Sequence, residues 1–193
     1  MEIVQLNSNA KLSEHFTLGE FTKSGSHPEV YNIPSHEAIE NMKRLCIWLE
    51  ELRQRYNDKY VVVKGDVSTT LDMTGGGGTL GMTSSSLSSR PSEARGEISE
   101  EPIRLNSGYR SPQLNRAIGG VSNSNHLTGC AVDIRVENME QLIRYAAILL
   151  DISNDTKQDF DELLIERNRY GAIWLHFAVR PSHNRRKVSL IQA

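Results

Sequence analysis

Apolar residues recur every three or four positions along 36–56, at Ile39, Met42, Leu45, Leu49, Leu52 and Tyr56, with Glu, Lys and Arg between them. That period puts them on one stripe of an amphipathic helix, and Ser35 stands where an N-cap belongs. A second stripe, Met139, Leu142, Ile143, Ala146, Leu149 and Leu150, follows Asn138, and Gln141 three residues on completes a capping-box pattern. Between them Ser111 and Pro112 suit the cap and first turn of a short helix carrying Leu114, Ala117 and Ile118, which closes at Gly119-Gly120. Strand patterns occupy 60–63, 103–106, 130–136, 160–166 and 173–179, with a turn at 167–171 pairing the last two as a hairpin. In the last strand, period 2 puts Trp174, His176 and Ala178 on one face and Ile173, Leu175 and Phe177 on the other. Residues 1–34 show no period and read as an irregular cover over the core. The sum is an α+β fold, a small, mainly antiparallel sheet with flanking helices.

One stretch breaks the pattern. Residues 64–101 hold four glycines in a row at 75–78, a serine run at 84–86 and few large apolar side chains. Such a segment buries too little surface to offset its ordering entropy, so it reads as a flexible insertion in a single domain spanning 1–193. The glycines do not form a phosphate-binding loop, since no Gly-Lys-Ser/Thr follows them. Overall, 38% of residues are hydrophobic and 24% charged, which is polar for a globular domain. The formal net charge of -2 excludes a strong overall nucleic-acid footprint. No apolar run approaches the roughly 18 residues needed to span a bilayer. Residues 1–11 lack the basic-then-apolar pattern of a secretory signal, so the expectation is synthesis in the cytoplasm. Cys46 and Cys130 fit free buried thiols, in keeping with a reducing compartment.

Candidate chemistry gathers in Ser124-Asn125-His126-Leu127-Thr128-Gly129-Cys130-Ala131-Val132-Asp133. A histidine on a loop and an aspartate on the following strand are both good ligands for a borderline-soft metal. With His176 they supply two imidazoles and one carboxylate and leave a fourth position open, the ligand count of a catalytic rather than a closed structural zinc site. A thiol hydrolase using Cys130 and His126 is the weaker reading, because a small apolar residue would serve at that place.

Ser-x-His-x-x-Gly-x-Ala-x-Asp at 124–133, Gly-Tyr-Arg-Ser at 108–111 and Trp-x-His at 174–176 together resemble the zinc D-Ala-D-Ala carboxypeptidase family. That family includes vancomycin-resistance D,D-dipeptidases and phage endolysin peptidases, and it shares its fold with the hedgehog signalling domain. Leu-Gly-Glu-Phe-Thr at 18–22 is similar to the start of its smaller members. The resemblance implies one Zn2+ ion held by His126, Asp133 and His176. It implies that Arg110 steadies the oxyanion or holds a substrate carboxylate, and that Ser124, Tyr109 and Trp174 contact substrate. Many relatives carry an acidic residue three positions before the last histidine, where this chain has Ile173. The general base therefore falls to Glu166, Glu162 or Asp161, with Glu166 preferred because it ends the strand that pairs with the one carrying His176.

The activity implied is hydrolysis of peptide bonds in bacterial peptidoglycan stem peptides, at a terminal D-Ala or at an internal bond such as L-Ala–D-Glu. The alternative is a zinc-containing cell-wall or partner-binding module without catalysis. The expected partner is a peptidoglycan peptide, with no nucleic acid and no membrane span, for a monomer acting on the cell wall after release. The basic cluster Arg180, Arg185, Arg186 and Lys187 reads as a solvated face.

Overall fold

Residues 7–61 and 100–192 are described by the computed structural model. In chain order the elements are α1 (Leu18–Thr22), α2 (His36–Tyr60), β1 (Leu105–Ser107), α3 (Pro112–Ala117), a 3-10 turn (Asn125–Thr128), β2 (Ala131–Arg135), α4 (Met139–Thr156), β3 (Glu162–Arg167), β4 (Ile173–Ala178) and β5 (Lys187–Gln192). The sheet order is β1-β2-β4-β3-β5, antiparallel throughout except for β3 beside β5. The α+β expectation holds. Strand β5 carries the apolar Val188, Leu190 and Ile191, and its parallel pairing arises because the chain returns past β4 to the outer side of β3.

The caps lie where the sequence put them. Ser35 accepts from the Ala38 amide, Ser111 from Leu114 and Asn138 from Gln141. Helix α2 runs on to Tyr60, whose ring packs 5.4 Å from Tyr56 and lies 4.2 Å below the Arg144 guanidinium. The strand expected at 60–63 is therefore corrected at its first residue, and 62–63 lie outside the described residues. The expectation of an irregular 1–34 also needs amending. Thr17 and Glu20 close a capping box on α1, and Leu18 and Phe21 enter the core.

That core fills the space between one face of the sheet and α2 with α4. Val132 and Ile134 of β2, Leu163 of β3, and Leu175 and Phe177 of β4 meet Met42, Leu45, Leu49 and Leu52 of α2 and Leu142 and Leu149 of α4. Trp48 packs 5.4 Å from Phe177, and Tyr56 meets Tyr145 edge-on at 4.8 Å. Each fully buried aliphatic side chain contributes about 1.5–3 kcal/mol, so this face holds the sheet to its helices. The alternate residues must then point away from the helices. Register makes them neighbours: Asp133 sits opposite His176, and His176 opposite Leu164.

Of the stretch expected to be a flexible insertion, 64–99 lie outside the described residues. Its last two residues belong to the fold. The Glu101 amide donates to Asn57 Oδ1 at 2.7 Å, and Gln141 Nε2 donates to the Glu101 carboxylate at 2.7 Å. Among the described residues no helix is long and apolar enough to cross a membrane.

Candidate metal centre and active site

His126 is placed by its loop. Its 3-10 turn is capped by Ser124 and ends at Gly129, whose φ of 71° is a left-handed conformation that glycine adopts without strain. A Cβ on Gly129 would lie 2.5 Å from the Ala38 carbonyl oxygen, so the turn seats directly on α2. Asn41 of α2 secures it, donating to the Thr128 carbonyl at 2.9 Å. The Gly-Tyr-Arg-Ser run approaches from the other side. A Cβ on Gly108 would lie 2.6 Å from the Phe21 carbonyl oxygen, and the Gly108 carbonyl is 2.6 Å from His126 Nδ1. Helix α1 thus presses the strand end against the histidine. Asn32 ties the two together, donating to the carbonyls of Thr22 and Tyr109 at 2.9 and 2.8 Å.

The carbonyl contact fixes the proton of His126 on Nδ1 and leaves the Nε2 lone pair facing inward. Nε2 lies 3.3 Å from Asp133 Oδ1, and His176 Nδ1 lies 2.9 Å from the same oxygen. One ligand atom from each of His126, Asp133 and His176 lies within 4.8 Å of the others, and all three residues are buried. An imidazole lone pair facing a carboxylate oxygen is repulsive unless a cation stands between them. The other nitrogen of His176, Nε2, is buried without a hydrogen-bond partner among the described residues. Two imidazoles and a carboxylate converging in this way fit a zinc ion. Burial holds the His126 pKa down, which keeps that ligand neutral. Burial would raise Asp133, but His126 and His176 outweigh it and hold its carboxyl far below the usual range. Burial would likewise lower His176, but Asp133 and Glu162 raise it to about 9. The cage is built for positive charge.

A cleft of about 770 Å³ opens over these residues. Ser124, Trp174 and Glu166 line it, as do Arg110 and Glu162. Glu162 and Glu166 flank Leu164 on the same strand face, so both border His176. Their surroundings differ. Contact with His176 dominates in holding Glu162 down to about 2, aided by Arg185 and Lys187. Burial pushes Glu166 up. Glu162 stays ionised, whereas Glu166 can exchange a proton nearer neutrality.

Arg110 is partly committed. Its Nη2 donates to Asp133 Oδ2 at 2.5 Å and its Nε to Ser107 Oγ at 2.9 Å, which leaves Asp133 Oδ1 toward the histidines. Ser124 caps the turn, accepting from the His126 amide at 3.3 Å, and also borders the cleft. Tyr109 is corrected. The expectation placed it on substrate, but its side chain is 7% exposed and belongs to the core, because residues alternate on leaving β1 and Arg110 takes the cleft side.

Asp161, weighed as a base, is fully buried in an ion cluster. It accepts from Arg185 Nε and Nη2 at 2.8 and 2.7 Å, from Asn125 Nδ2 at 2.8 Å, and lies 3.0 Å from Arg180 Nε. With every lone pair engaged it is structural, and the basic residues read as a solvated face are partly its partners. Asp161→Ala is expected to lower stability by about 1–3 kcal/mol in urea unfolding, since it removes a buried acceptor shared by Arg185, Arg180 and Asn125, while Arg185 keeps Glu162 and Arg180 keeps Asn125 Oδ1. Burial would raise the Asp161 pKa, but Arg185, Asn125 and Arg180 lower it overall. Its contribution is thus complete above the unfolded pKa of about 4 and is lost as pH falls through the lower folded value. The acid limb of stability should be shallower in the variant. Asn125 has no assigned role in the sequence, where only its place inside the motif marks it, and Arg180 reads there only as part of the solvated basic cluster.

The description Peptidase M15 belongs to the family whose model matches residues 83–150. No curated protein matches the chain. The matched region contains Arg110, Ser124, His126 and Asp133, and its first residues fall in the stretch read as an insertion. Glu166, Trp174 and His176 lie beyond it, and the fold brings them to the same cleft.

Proposed function

We propose that this chain, of which residues 83–150 match the Peptidase M15 model, is a peptidase that hydrolyses peptide bonds in peptidoglycan stem peptides with one zinc ion held by His126, Asp133 and His176. The observation carrying this reading is the convergence of those three buried side chains at the floor of an open cleft. Zinc bound there supplies Lewis acidity, lowering the pKa of a water molecule and polarising the scissile carbonyl. Glu166 takes the proton from the attacking water and returns it to the leaving amine. Arg110 holds Asp133 in place and offers Nη1, which has no hydrogen-bond partner among the described residues, to the developing negative charge. Ser124 and Trp174 border the path of the substrate chain. Arg110, Arg180, Arg185 and Lys187 on the cleft wall favour an acidic peptide, as a stem peptide with free carboxylates is.

The test is release of D-Ala or of peptide fragments from purified peptidoglycan, followed by mass spectrometry with and without a zinc chelator. Expected are new amino termini, their loss on chelation and their return with added zinc. Turnover indifferent to chelation would overturn the metal's role, and a zinc-loaded protein that releases nothing would make the chain a binding module.

A further inference from the structure

The two carboxylates beside His176 are held differently, and we propose that Glu162 is a positioning residue that fixes His176 as a ligand by accepting the proton on its Nε2. The proposal rests on the reading of His126, Asp133 and His176 as the zinc ligands. His176 Nε2 is buried without a hydrogen-bond partner among the described residues, and Glu162 Oε2, 3.6 Å away, is the carboxylate oxygen that a small side-chain shift brings within reach of it. The opposite ring nitrogen, Nδ1, faces Asp133 Oδ1 at 2.9 Å. The ring therefore presents one nitrogen to the ligand cluster and the other to Glu162. A neutral imidazole that ligates through Nδ1 carries its proton on Nε2, and the acceptor beside that proton is Glu162. His126 shows the complementary arrangement, with Nδ1 on the Gly108 carbonyl and Nε2 toward the cluster. Each histidine is thus keyed by a different acceptor, one a neutral carbonyl and the other a carboxylate.

Glu162 is fixed from two sides. Asn125 Nδ2 donates to Oε2 at 3.0 Å, and Arg185 Nη2 lies 2.8 Å from Oε1. The Asn125 amide cannot turn, because its Oδ1 accepts from Arg180 Nε at 2.9 Å while its Nδ2 also reaches Asp161. The same loop that carries His126 therefore aims the acceptor of His176. Glu166 has no ion pair among the described residues. A carboxylate that holds the outer nitrogen of a ligating histidine sets ring orientation and tautomer and raises ligand basicity.

Glu162→Ala removes the acceptor, and Glu162→Gln keeps an oxygen there without the charge. Zinc affinity, measured by competition with a chromophoric chelator, is expected to fall about 10–100-fold in Glu162→Ala and by less in Glu162→Gln. Arg186→Ala, which removes a nearby cation that pairs with Asp159 and not with Glu162, is expected to bind zinc as the wild type does. An independent measurement needs no metal. In histidine-labelled protein followed by NMR, the Nε2–H of His176 should exchange slowly in the wild type and lose that protection in Glu162→Ala. Undiminished protection in that variant overturns the assignment, as does unchanged zinc affinity. If the wild type binds no zinc, the zinc reading of the site fails, and the exchange measurement still decides whether Glu162 holds His176. Should Glu162→Ala fail to fold, Glu162→Gln carries both measurements, with the same outcomes decisive.

Discussion

Asp133→Ala is expected to abolish metal binding and turnover together. Its Oδ1 is the one oxygen that both histidines approach, at 3.3 and 2.9 Å. Removing it leaves two imidazoles with no anion between them. The loss in zinc affinity should exceed the about 10–100-fold that follows from removing an outer-shell partner. Asp133 Oδ2 also receives Arg110, so the alanine variant frees that guanidinium in a largely buried place. Some loss of stability will accompany the loss of function. Asp133→Asn separates the two effects, because an amide oxygen can still accept from Arg110 but brings no charge to the metal. The expected result is a folded protein with near wild-type melting, little zinc and background hydrolysis. Wild-type zinc affinity in Asp133→Asn would remove Asp133 from the ligand set.

Glu166→Gln should have the opposite signature, with zinc retained and chemistry lost. The side chain lines the cleft on the face that carries His176, one pair of residues along the strands. Its carboxylate is raised by burial, which places its proton exchange nearer the working pH than that of an exposed glutamate. Loss of a general base costs about 10²–10⁴ in rate. The expected outcome is a fall of that size in kcat with KM and metal content little changed. The pH profile supplies a second reading. A base must be deprotonated to act, so kcat/KM of the wild type should fall as pH drops through a pKa above the ordinary glutamate value. That limb should be absent in the residual activity of the variant. If Glu162→Gln rather than Glu166→Gln retains zinc and loses turnover, the roles of the two carboxylates are exchanged.

The sequence alone determined what depends on period and on close neighbours. The stripes at 36–56 and 139–150 became α2 and α4, and Ser35, Ser111 and Asn138 became their caps and that of α3, because capping is settled within three residues. Alternation in β4 correctly sent His176 to one face and Leu175 and Phe177 to the other. The same rule put Glu162 and Glu166 on a common face but gave no means of telling them apart. Only the tertiary structure did that, through Asn125 and Arg185, which stand 37 and 23 residues away in the chain. It also moved Tyr109 from the cleft to the core, ended α2 at Tyr60 instead of in a strand, and made Asp161 the centre of an ion cluster. Local preference is written in neighbouring residues. Whether a carboxylate is tethered or free to move a proton depends on which distant charges the folded chain brings within 3 Å or so of it, where hydrogen bonding acts.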